Sequence, residues 1–404
     1  MELGEVRDLL QVRVPDPRAA ARLAACTDVD DVERLARRRL PRPVYDYVAG
    51  GADDEISLRA NREAFARRRF RPRALRDVRS VDLGTRLFGT PAAAPVVLAP
   101  TGYTRMVDAD GEPAVAAAAA AAGLPYTLST MASTSLEEVA AVAPAADRWF
   151  QLYVLRDRAR TEALVRRAAA AGYRVLEVAV DTAVAGHRRR DVRNGFTIPP
   201  SFTLGAVAGL AAAPRYWMRT LRAPAMRFAL LDGSSGAGST IASITDRFDP
   251  GVTWDDIARL REVWSGPMLL KGPLSPVDAA RAASLGLDGV HLSNHGGRQL
   301  DRTVAPLDLV APVRAATGPD FGVLVDSGVR SGADAAVALA LGADAVAIGR
   351  AYLYGLAAGG APGVSRVLDL LSSELARTLA LLGCTTVAEV RDLGSDLLDE
   401  GKTW

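Results

Sequence analysis

Residues that crosslink chains or bind metals are scarce in this chain of 404 residues. It has two cysteines and three histidines, too few for a disulfide framework or a Cys/His cluster, so we expect no metal site. Lysine is also scarce, since Lys271 and Lys402 are the only lysines among 49 basic residues. Because arginine is otherwise preferred, Lys271 at the end of an apolar run suggests that a compact point charge is needed there.

Net charge, long apolar runs and a leader-like N terminus are lacking too. The 49 basic and 47 acidic side chains nearly balance, so no overall charge recruits nucleic acid. No apolar run reaches the roughly 18 to 20 residues of a membrane span, and the first residues do not resemble a secretory signal. These absences favour a cytoplasmic protein with small-molecule partners, and the 49% hydrophobic content permits a large core.

From residue 94 onward, eight short apolar runs alternate with longer helical patterns. Most runs are continuously apolar, which is typical of parallel strands covered by helices. The predicted strands are 94–99, 126–129, 150–153, 176–180, 268–271, 289–293, 322–326 and 345–349. They predict an α/β protein with a (β/α)8 TIM barrel. An open doubly wound sheet is the weaker alternative, because no Gly-x-Gly-x-x-Gly follows the first strand.

We predict three parts: an N-terminal helical extension over 1–93, the barrel over 94–385 and a C-terminal tail over 386–404. A long insertion after the fourth strand, residues 205–250, interrupts the alternation. Its segment 205–231 combines arginines with aromatic and apolar residues and lacks acids, which favours a peripheral membrane contact. A lid over the active site or a subunit contact is the alternative.

Polar residues follow nearly every predicted strand. Because the active sites of such barrels lie at the carboxyl ends of the strands, we expect these residues to share one site. They are Pro100, Thr101, Gly102, Ser129, Gln151, Tyr153, Asp181, Lys271, Ser293, His295, Arg298, Asp326, Ser327, Gly328, Gly349 and Arg350.

The run Ser-Asn-His-Gly-Gly-Arg-Gln-Leu-Asp at residues 293–301 carries the most distinctive chemistry. Its glycines permit a sharp turn or a close approach to a flat ligand. His295 offers a proton acceptor and Arg298 a two-pronged clamp for an anion, so the run predicts hydroxy-acid or amino-acid chemistry. His291 lies within a strand and His187 in an arginine-rich loop, and neither is assigned a catalytic role.

The loops after the last two strands predict a phosphate site. Residues 326–332 and Gly349 supply backbone donors and small residues, and Arg330 and Arg350 supply charge where barrels often bind phosphate. Alone, this pattern also fits a flavin-free phosphate-binding barrel isomerase. That alternative leaves the run around His295 unexplained.

Together these motifs resemble the FMN-dependent L-2-hydroxyacid dehydrogenases and oxidases, a family that includes glycolate oxidase, lactate oxidase and mandelate dehydrogenase. The resemblance runs from about Leu40 to the C terminus and is greatest for the respiratory L-lactate dehydrogenase branch. It implies an FMN cofactor, a lactate-like or mandelate-like substrate and a homo-oligomer, commonly a tetramer. The flavin contacts that it implies are Pro100, Thr101, Gly102, Ser129, Gln151, Lys271, Ser293, Asp326, Ser327, Gly328, Arg330, Gly349 and Arg350.

The resemblance also assigns the catalytic and substrate-binding residues. His295 is implied to be the base, Asp181 to orient it and Tyr153 to contact the reacting hydroxyl. The implied substrate-binding residues are Tyr47, Arg188, Arg298, Tyr153, Gly102 and Met131.

Three positions depart from the family pattern. Ala179 stands where many members have a threonine near the flavin, and Gly102 replaces the alanine that is usual in oxidases. Met131 stands where glycolate oxidase has a larger aromatic residue. We therefore expect more room beside the ring for the substrate or the electron acceptor, and a pocket that admits a longer or aryl side chain.

Our leading hypothesis is a dehydrogenase that passes electrons to a quinone, a cytochrome or another non-oxygen acceptor, in the cytoplasm or on the inner face of the cell membrane. One alternative is an oxidase that uses O2 and produces hydrogen peroxide. Another is oxidation of a specialised biosynthetic substrate. A non-catalytic membrane or scaffold protein is disfavoured, since it would not need a base, a carboxylate clamp and flavin contacts together.

Overall fold

An N-terminal extension of helices and short strands precedes the barrel. The computed structural model describes residues 17–195, 213–223, 228–231 and 247–399. The elements of the extension are α1 (Pro17–Ala24), α2 (Val29–Arg39), α3 (Arg42–Ala49), α4 (Ile56–Ala66), β1 (Arg69–Phe70), β2 (Thr85–Leu87) and β3 (Thr90–Ala92). Helix α2 begins where the Asp28 carboxylate accepts a hydrogen bond from the backbone N–H of Asp31, a typical N-cap.

Eight parallel strands form a closed barrel in chain order, in which the last strand pairs with the first. They are β4 (Val96–Leu98), β5 (Tyr126–Ser129), β6 (Arg148–Leu152), β7 (Val175–Ala179), β8 (Met268–Gly272), β9 (Gly289–Leu292), β10 (Gly322–Val325) and β11 (Ala345–Ile348). The predicted (β/α)8 barrel is confirmed, and every predicted strand overlaps an observed one.

Apolar side chains fill the N-terminal end of the barrel. Trp149, Val175 and Leu269 are fully buried there in one cluster. The β2–β3 hairpin covers this end, because Leu87 joins the cluster and the ring of Phe88 packs edge-on against Trp149 at 5.6 Å. This end is a packed core, so the opposite end is left for a site.

Helices surround the strands. They are α5 (Thr104–Val107), α6 (Gly111–Ala121), α7 (Leu136–Val142), α8 (Arg158–Ala170), α9 (Arg189–Arg193), α10 (Pro214–Arg222), α11 (Trp254–Val263), α12 (Pro276–Ser284), α13 (Pro306–Thr317), α14 (Gly332–Ala340), α15 (Arg350–Gly359), α16 (Ala361–Leu382) and α17 (Val387–Leu393). Capping boxes that start at Ser135, Ser275 and Ser331 begin α7, α12 and α14. Within the described ranges, no helix has both the length and the apolar character needed to cross a membrane.

The C-terminal residues pack back onto the extension. After α17, a 3-10 turn (Gly394–Leu397) leads into β12 (Leu398–Asp399), which pairs antiparallel with β1. The ion pair between Arg71 and Asp399, at 2.8 Å, supports this pairing. The segment that we predicted as a tail is therefore structured as far as residue 399.

The insertion after the fourth barrel strand is described only in part. Residues 205–212, 224–227 and 232–246 of the predicted insertion lie outside the described ranges. Helix α10 lies against α5, where the Tyr216 hydroxyl donates to the Met106 carbonyl at 2.7 Å. The described part of the insertion thus packs at the carboxyl end of the barrel.

Candidate active site

The loop after β9, residues 293–301, is held by the N-terminal extension. The Asp301 carboxylate accepts hydrogen bonds from three backbone N–H groups around the start of α4, the shortest at 2.8 Å from Ser57. The amides of Asn61 and Asn294 bond each other reciprocally at 2.8 and 2.7 Å. These contacts fix the loop on which His295 is placed.

The backbone of this loop is left-handed at three consecutive residues, His295, Gly296 and Gly297. A Cβ atom at Gly297 would lie 2.7 Å from the backbone nitrogen of Leu58, so the close approach of α4 requires glycine there. At His295, by contrast, a positive φ of 58° is strained for a residue with a side chain. The extension and the loop together hold this strained residue in place.

His295 lies between Asp181 and Tyr153. Its Nδ1 is 3.1 Å from the nearer Asp181 oxygen, and its Nε2 is 3.1 Å from the Tyr153 hydroxyl. Burial raises the pKa of Asp181, but His295 more than offsets this, so the pKa is lowered overall. Because an ionised Asp181 only accepts, Nδ1 carries the hydrogen and Nε2 is left as the basic nitrogen in the neutral ring.

Two arginines, Arg188 and Arg298, lie with Tyr47 beside His295 and Tyr153. Arg298 stacks over the Tyr47 ring at 4.7 Å, and Arg188 lies 5.9 Å from the same ring. Arg188 is paired with Asp191 at 2.8 Å, whereas within the described ranges no carboxylate forms an ion pair with Arg298. Burial and then the charge of Arg188 lower the pKa of Arg298. An anionic ligand bound beside Arg298 would stabilise its positive charge and so oppose both of these effects on the pKa.

Lys271 is buried at the end of β8. Its Nζ lies 2.7 Å from the Ser293 hydroxyl and 3.2 Å from Asp326 Oδ2. Burial lowers the pKa of this ammonium, but Asp326, Asp181 and Glu177 together outweigh it, so the pKa is raised overall. Since an ammonium has three hydrogens, two bonds leave Lys271 one more to donate into the cavity.

A second set of polar side chains lies at the ends of the first three barrel strands. Gln151 Oε1 accepts a hydrogen bond from Ser129 Oγ at 2.8 Å. Its Nε2 is buried without a partner among the described residues, and an unpaired buried donor is costly unless a ligand accepts from it. Thr101 Oγ1 lies 2.6 Å from the Tyr352 hydroxyl.

The predicted phosphate residues lie around the ends of β10 and β11. Arg350 donates to the carbonyls of Val48, Gly50 and Gly296 at 2.8 to 2.9 Å. Burial, followed by the charge of Arg298, lowers the pKa of Arg350 to about 9, which still leaves it charged at neutral pH. Arg350 therefore also connects the extension to the loop of residues 293–301 through hydrogen bonds. The sequence did not indicate this role.

One cavity at the carboxyl end of the barrel brings most of the predicted site residues together. Its lining includes Tyr47, Pro100, Thr101, Gly102, Met131, Tyr153, Arg188, Lys271, His295, Arg298, Asp326, Ser327, Gly328, Arg330, Gly349 and Arg350. The other predicted residues lie behind this lining and contact it. Asp181 bonds His295, Ser293 bonds Lys271, and Ser129 accepts from the backbone N–H of Met131.

Several apolar residues of the cavity were not predicted from the sequence. Tyr103, Met106, Val107 and Phe248 line it, and the Phe248 ring lies 4.7 Å from the ring of Tyr153. No pattern in the sequence marks them, because they come from loops and short helices whose positions depend on the barrel.

Gln299 was also missed, although it lies in the run around His295. Its side chain donates to the carbonyls of Asp181 and Val184 and accepts from the N–H of Gly186. It thus fixes the loop that carries Asp181. Its place in the run was the available signal.

The expectation of open space beside Gly102 is wrong. A Cβ atom at Gly102 would lie 2.7 Å from Cβ of Met131, far closer than two carbon atoms normally approach. Met131 therefore occupies the space that the missing side chain leaves. The two departures from the family pattern are one packing unit.

The residues of the cavity fit FMN. Gln151 has an unused buried donor, and Lys271 offers a buried positive charge. Arg330, Arg350 and the N terminus of α15 supply the cations and backbone donors that a phosphate needs.

The sequence profile of the FMN-dependent dehydrogenases matches residues 36–396. The chain therefore belongs to that family, and it is an FMN-dependent oxidoreductase of 2-hydroxy acids. The predicted family, cofactor and reaction class are confirmed.

Three similar proteins show the range of the family. A protein named putative L-lactate dehydrogenase from Mycobacterium tuberculosis is 45% identical, with 95% of this chain and 94% of that protein covered. An L-lactate oxidase from Nostoc sp. is 42% identical over 89% of this chain and 95% of its own length. The crystal structure of the monotopic membrane protein (S)-mandelate dehydrogenase has a TM-score of 0.88 at 39% identity, covering 93% of this chain and 99% of that one.

Proposed function

We propose that the enzyme oxidises an L-2-hydroxy acid to the 2-oxo acid with His295 as the catalytic base. The observation that carries this proposal is the contact of His295 Nδ1 with Asp181 at 3.1 Å, beside Arg298, whose charge no carboxylate in the described ranges pairs with. FMN, when bound, accepts the two electrons of the oxidation.

The chain's own residues orient the substrate and move its proton. Arg298, with Arg188 and Tyr47, holds the carboxylate as a two-pronged clamp. Tyr153 contacts the reacting hydroxyl, and His295 Nε2 takes the proton. Asp181 then stabilises the imidazolium that forms and keeps the ring oriented.

For the substrate, we propose a hydroxy acid with an apolar side chain, lactate-like or aryl as in mandelate. Tyr103, Met106, Met131 and Phe248 add apolar surface to the cavity that the charged clamp also lines. Apolar surface favours such a side chain by about 25 cal/mol for each Å² that is buried. The similarity to (S)-mandelate dehydrogenase supports an aryl substrate.

For the acceptor, we propose a quinone or another non-oxygen acceptor such as a cytochrome, reached from the inner face of the cell membrane. Helix α10 supports this proposal because Met218 and Leu221 are 49% and 77% exposed on a helix whose sequence contains arginines and no acidic residue. Use of O2 is the second candidate, and the similarity to an L-lactate oxidase favours it. A homotetramer in the cytoplasm stays a prediction of the family resemblance.

Anaerobic titration of the holoenzyme with L-lactate and (S)-mandelate tests the substrate, because reduction bleaches the flavin absorbance. We expect both to reduce the flavin, and D-lactate to be inert. No reduction by any hydroxy acid of a panel would refute the proposed substrate class. Stopped-flow reoxidation then tests the acceptor: rapid reaction with O2 and none with a soluble quinone would make the enzyme an oxidase.

A further inference from the structure

Four charged side chains form a continuous chain inside the barrel. Glu177 Oε2 lies 3.2 Å from His291 Nδ1, and His291 Nε2 lies 3.2 Å from Asp326 Oδ2. The same Asp326 oxygen lies 3.2 Å from Lys271 Nζ at the cavity. Glu177 and His291 are fully buried, so the chain runs from the barrel interior to the cofactor site.

The surroundings of His291 favour a protonated ring. Both ring nitrogens face carboxylate oxygens, those of Glu177 and Asp326. A neutral imidazole has only one N–H, so its other nitrogen would direct a lone pair at a carboxylate. The doubly protonated imidazolium donates a hydrogen bond to Glu177 and places its positive charge next to Asp326, although the Nε2 contact with Asp326 does not have hydrogen-bond geometry. With it, Glu177, His291, Asp326 and Lys271 have no net charge.

Stability alone does not account for this chain. Burying ions is costly, and well-packed apolar residues in place of a buried ion pair are often neutral or stabilising. The neighbouring strand positions are filled by such residues, for example Val178 and Leu270. A buried glutamate and histidine therefore suggest a function that needs their charges.

We propose that His291 is a positioning residue of the flavin site, which as an imidazolium held by Glu177 shares Asp326 with Lys271. Because Asp326 then balances two cations, the ammonium of Lys271 keeps more of its positive field at the cavity. A positive charge there favours the reduced, more negative cofactor. His291 and Glu177 thus raise the reduction potential of bound FMN. The inference depends on FMN binding, not on the proposed substrate or acceptor.

The charged groups around His291 determine its titration. Glu177 faces it from β7, Asp326 from the end of β10 and Lys271 from β8 beyond Asp326, while Asp181 acts on Lys271. Burial lowers the pKa of His291, but Glu177 and then Asp326 outweigh it, so the pKa is raised. Without the charge of Glu177, the pKa of His291 falls. The reduction potential of such a variant gains a pH-dependent step.

The reduction potential of the holoenzyme, measured against a reference dye with a chemical reductant, tests the proposal. The double variant Glu177→Leu/His291→Leu removes both charges without leaving either unpaired. We expect its reduction equilibrium to shift toward oxidised FMN by a factor on the order of ten. Thr127→Val is the matched control, because Thr127 is buried in β5 and its hydroxyl has no partner among the described residues. An unchanged potential in the double variant, or an equal shift in the control, would overturn the proposal.

Two measurements keep the test decisive if the double variant binds FMN poorly. Glu177→Gln should show a potential that falls as pH rises through the pKa of His291, and a pH profile identical to wild type would contradict this. In the 15N-histidine-labelled holoenzyme, both ring nitrogens of His291 should be protonated across neutral pH, about 6 to 8. A neutral His291 would refute the proposal. Neither experiment uses a hydroxy acid, so failure of the proposed substrate leaves both readable.

Discussion

At the scale of single residues, the proposed role of His295 as base depends on which ring nitrogen carries the hydrogen. Asp181 holds the hydrogen on Nδ1 at 3.1 Å, and this directs the Nε2 lone pair toward Tyr153 and the cavity. The strained backbone of His295 is held by contacts from the extension. The side chain is thus oriented before any substrate arrives, which removes part of the cost of positioning it.

The variant His295→Gln should retain FMN but lose most of its reduction by substrate. Removing a general base typically costs about 10² to 10⁴ in rate, and glutamine keeps polar atoms at the position without the basic nitrogen. Anaerobic stopped-flow reduction measures this loss. His187→Gln is the control, since His187 is an exposed histidine paired with Asp53 outside the cavity lining. A wild-type rate in His295→Gln would rule out the base assignment.

The contact between Gly102 and Met131 predicts a coupled effect on stability. Gly102→Ala should lower the free energy of unfolding by about 1 to 3 kcal/mol, because the added methyl group overpacks against Met131. In the presence of Met131→Gly, which removes the Cβ atom that the new methyl group would meet, the same alanine should cost much less. Denaturant unfolding of the two single variants and the double variant measures the coupling. Additive effects would show that the side chains do not compete for the same space.

At the scale of elements, α10 has two different faces. Tyr216 and Arg219 attach it to the barrel, with Arg219 paired to Asp108 at 2.8 Å. Met218 and Leu221 are exposed on it. An attached basic helix with exposed apolar residues is suited to lie in a membrane interface.

The double variant Met218→Glu/Leu221→Glu should weaken binding to anionic lipid vesicles at least about tenfold, since it removes apolar area and adds negative charge. Reduction by substrate should be unchanged. Val277→Glu in α12, a residue that is 77% exposed, is the control for an added charge elsewhere. Co-sedimentation with vesicles measures binding. If the wild-type enzyme does not bind vesicles, the membrane interpretation of the insertion is wrong and the lid interpretation gains.

Elements were predictable from the sequence where one physical signal dominated. Short apolar runs, most of them continuous, marked all eight barrel strands because both faces of a barrel strand are buried. Polar residues at the strand ends marked the site, because a polar side chain at the end of a buried strand needs a ligand or a turn to satisfy it. Contacts between segments far apart in the chain, such as Gly102 with Met131 or Arg350 with Val48, depend on how the elements pack and had no local signal.

The sequence contains a signal for the chain of charges inside the barrel. Side chains alternate along a strand, so His291 points to the same side as Ser293, and Glu177 to the same side as Ala179 and Asp181. His291 thus precedes the predicted site residue Ser293 by two positions, and Glu177 precedes Asp181 by four. Periodicity identified the strands, but it did not show that the two residues meet across β8.

At the scale of the whole molecule, the buried imidazolium predicts how stability depends on pH. The pKa of His291 is raised above the unfolded value of about 6.5. Its contribution is therefore fully present below that value and is lost as pH rises through the folded pKa. The free energy of unfolding of the wild-type protein should fall at alkaline pH relative to Glu177→Leu/His291→Leu. Denaturant unfolding of both proteins over a pH series checks this, and parallel curves would contradict it.

The reciprocal amide bond between Asn61 and Asn294 also affects how the protein is made. The two residues are 233 positions apart, and a ribosome adds about 5 to 20 residues per second, so roughly 10 to 50 seconds separate their synthesis. During that interval the loop of residues 293–301 has not been made, and the face of α4 that contacts it is exposed. The emerging N-terminal segment is therefore a candidate for chaperone protection until the second half of the barrel has been translated.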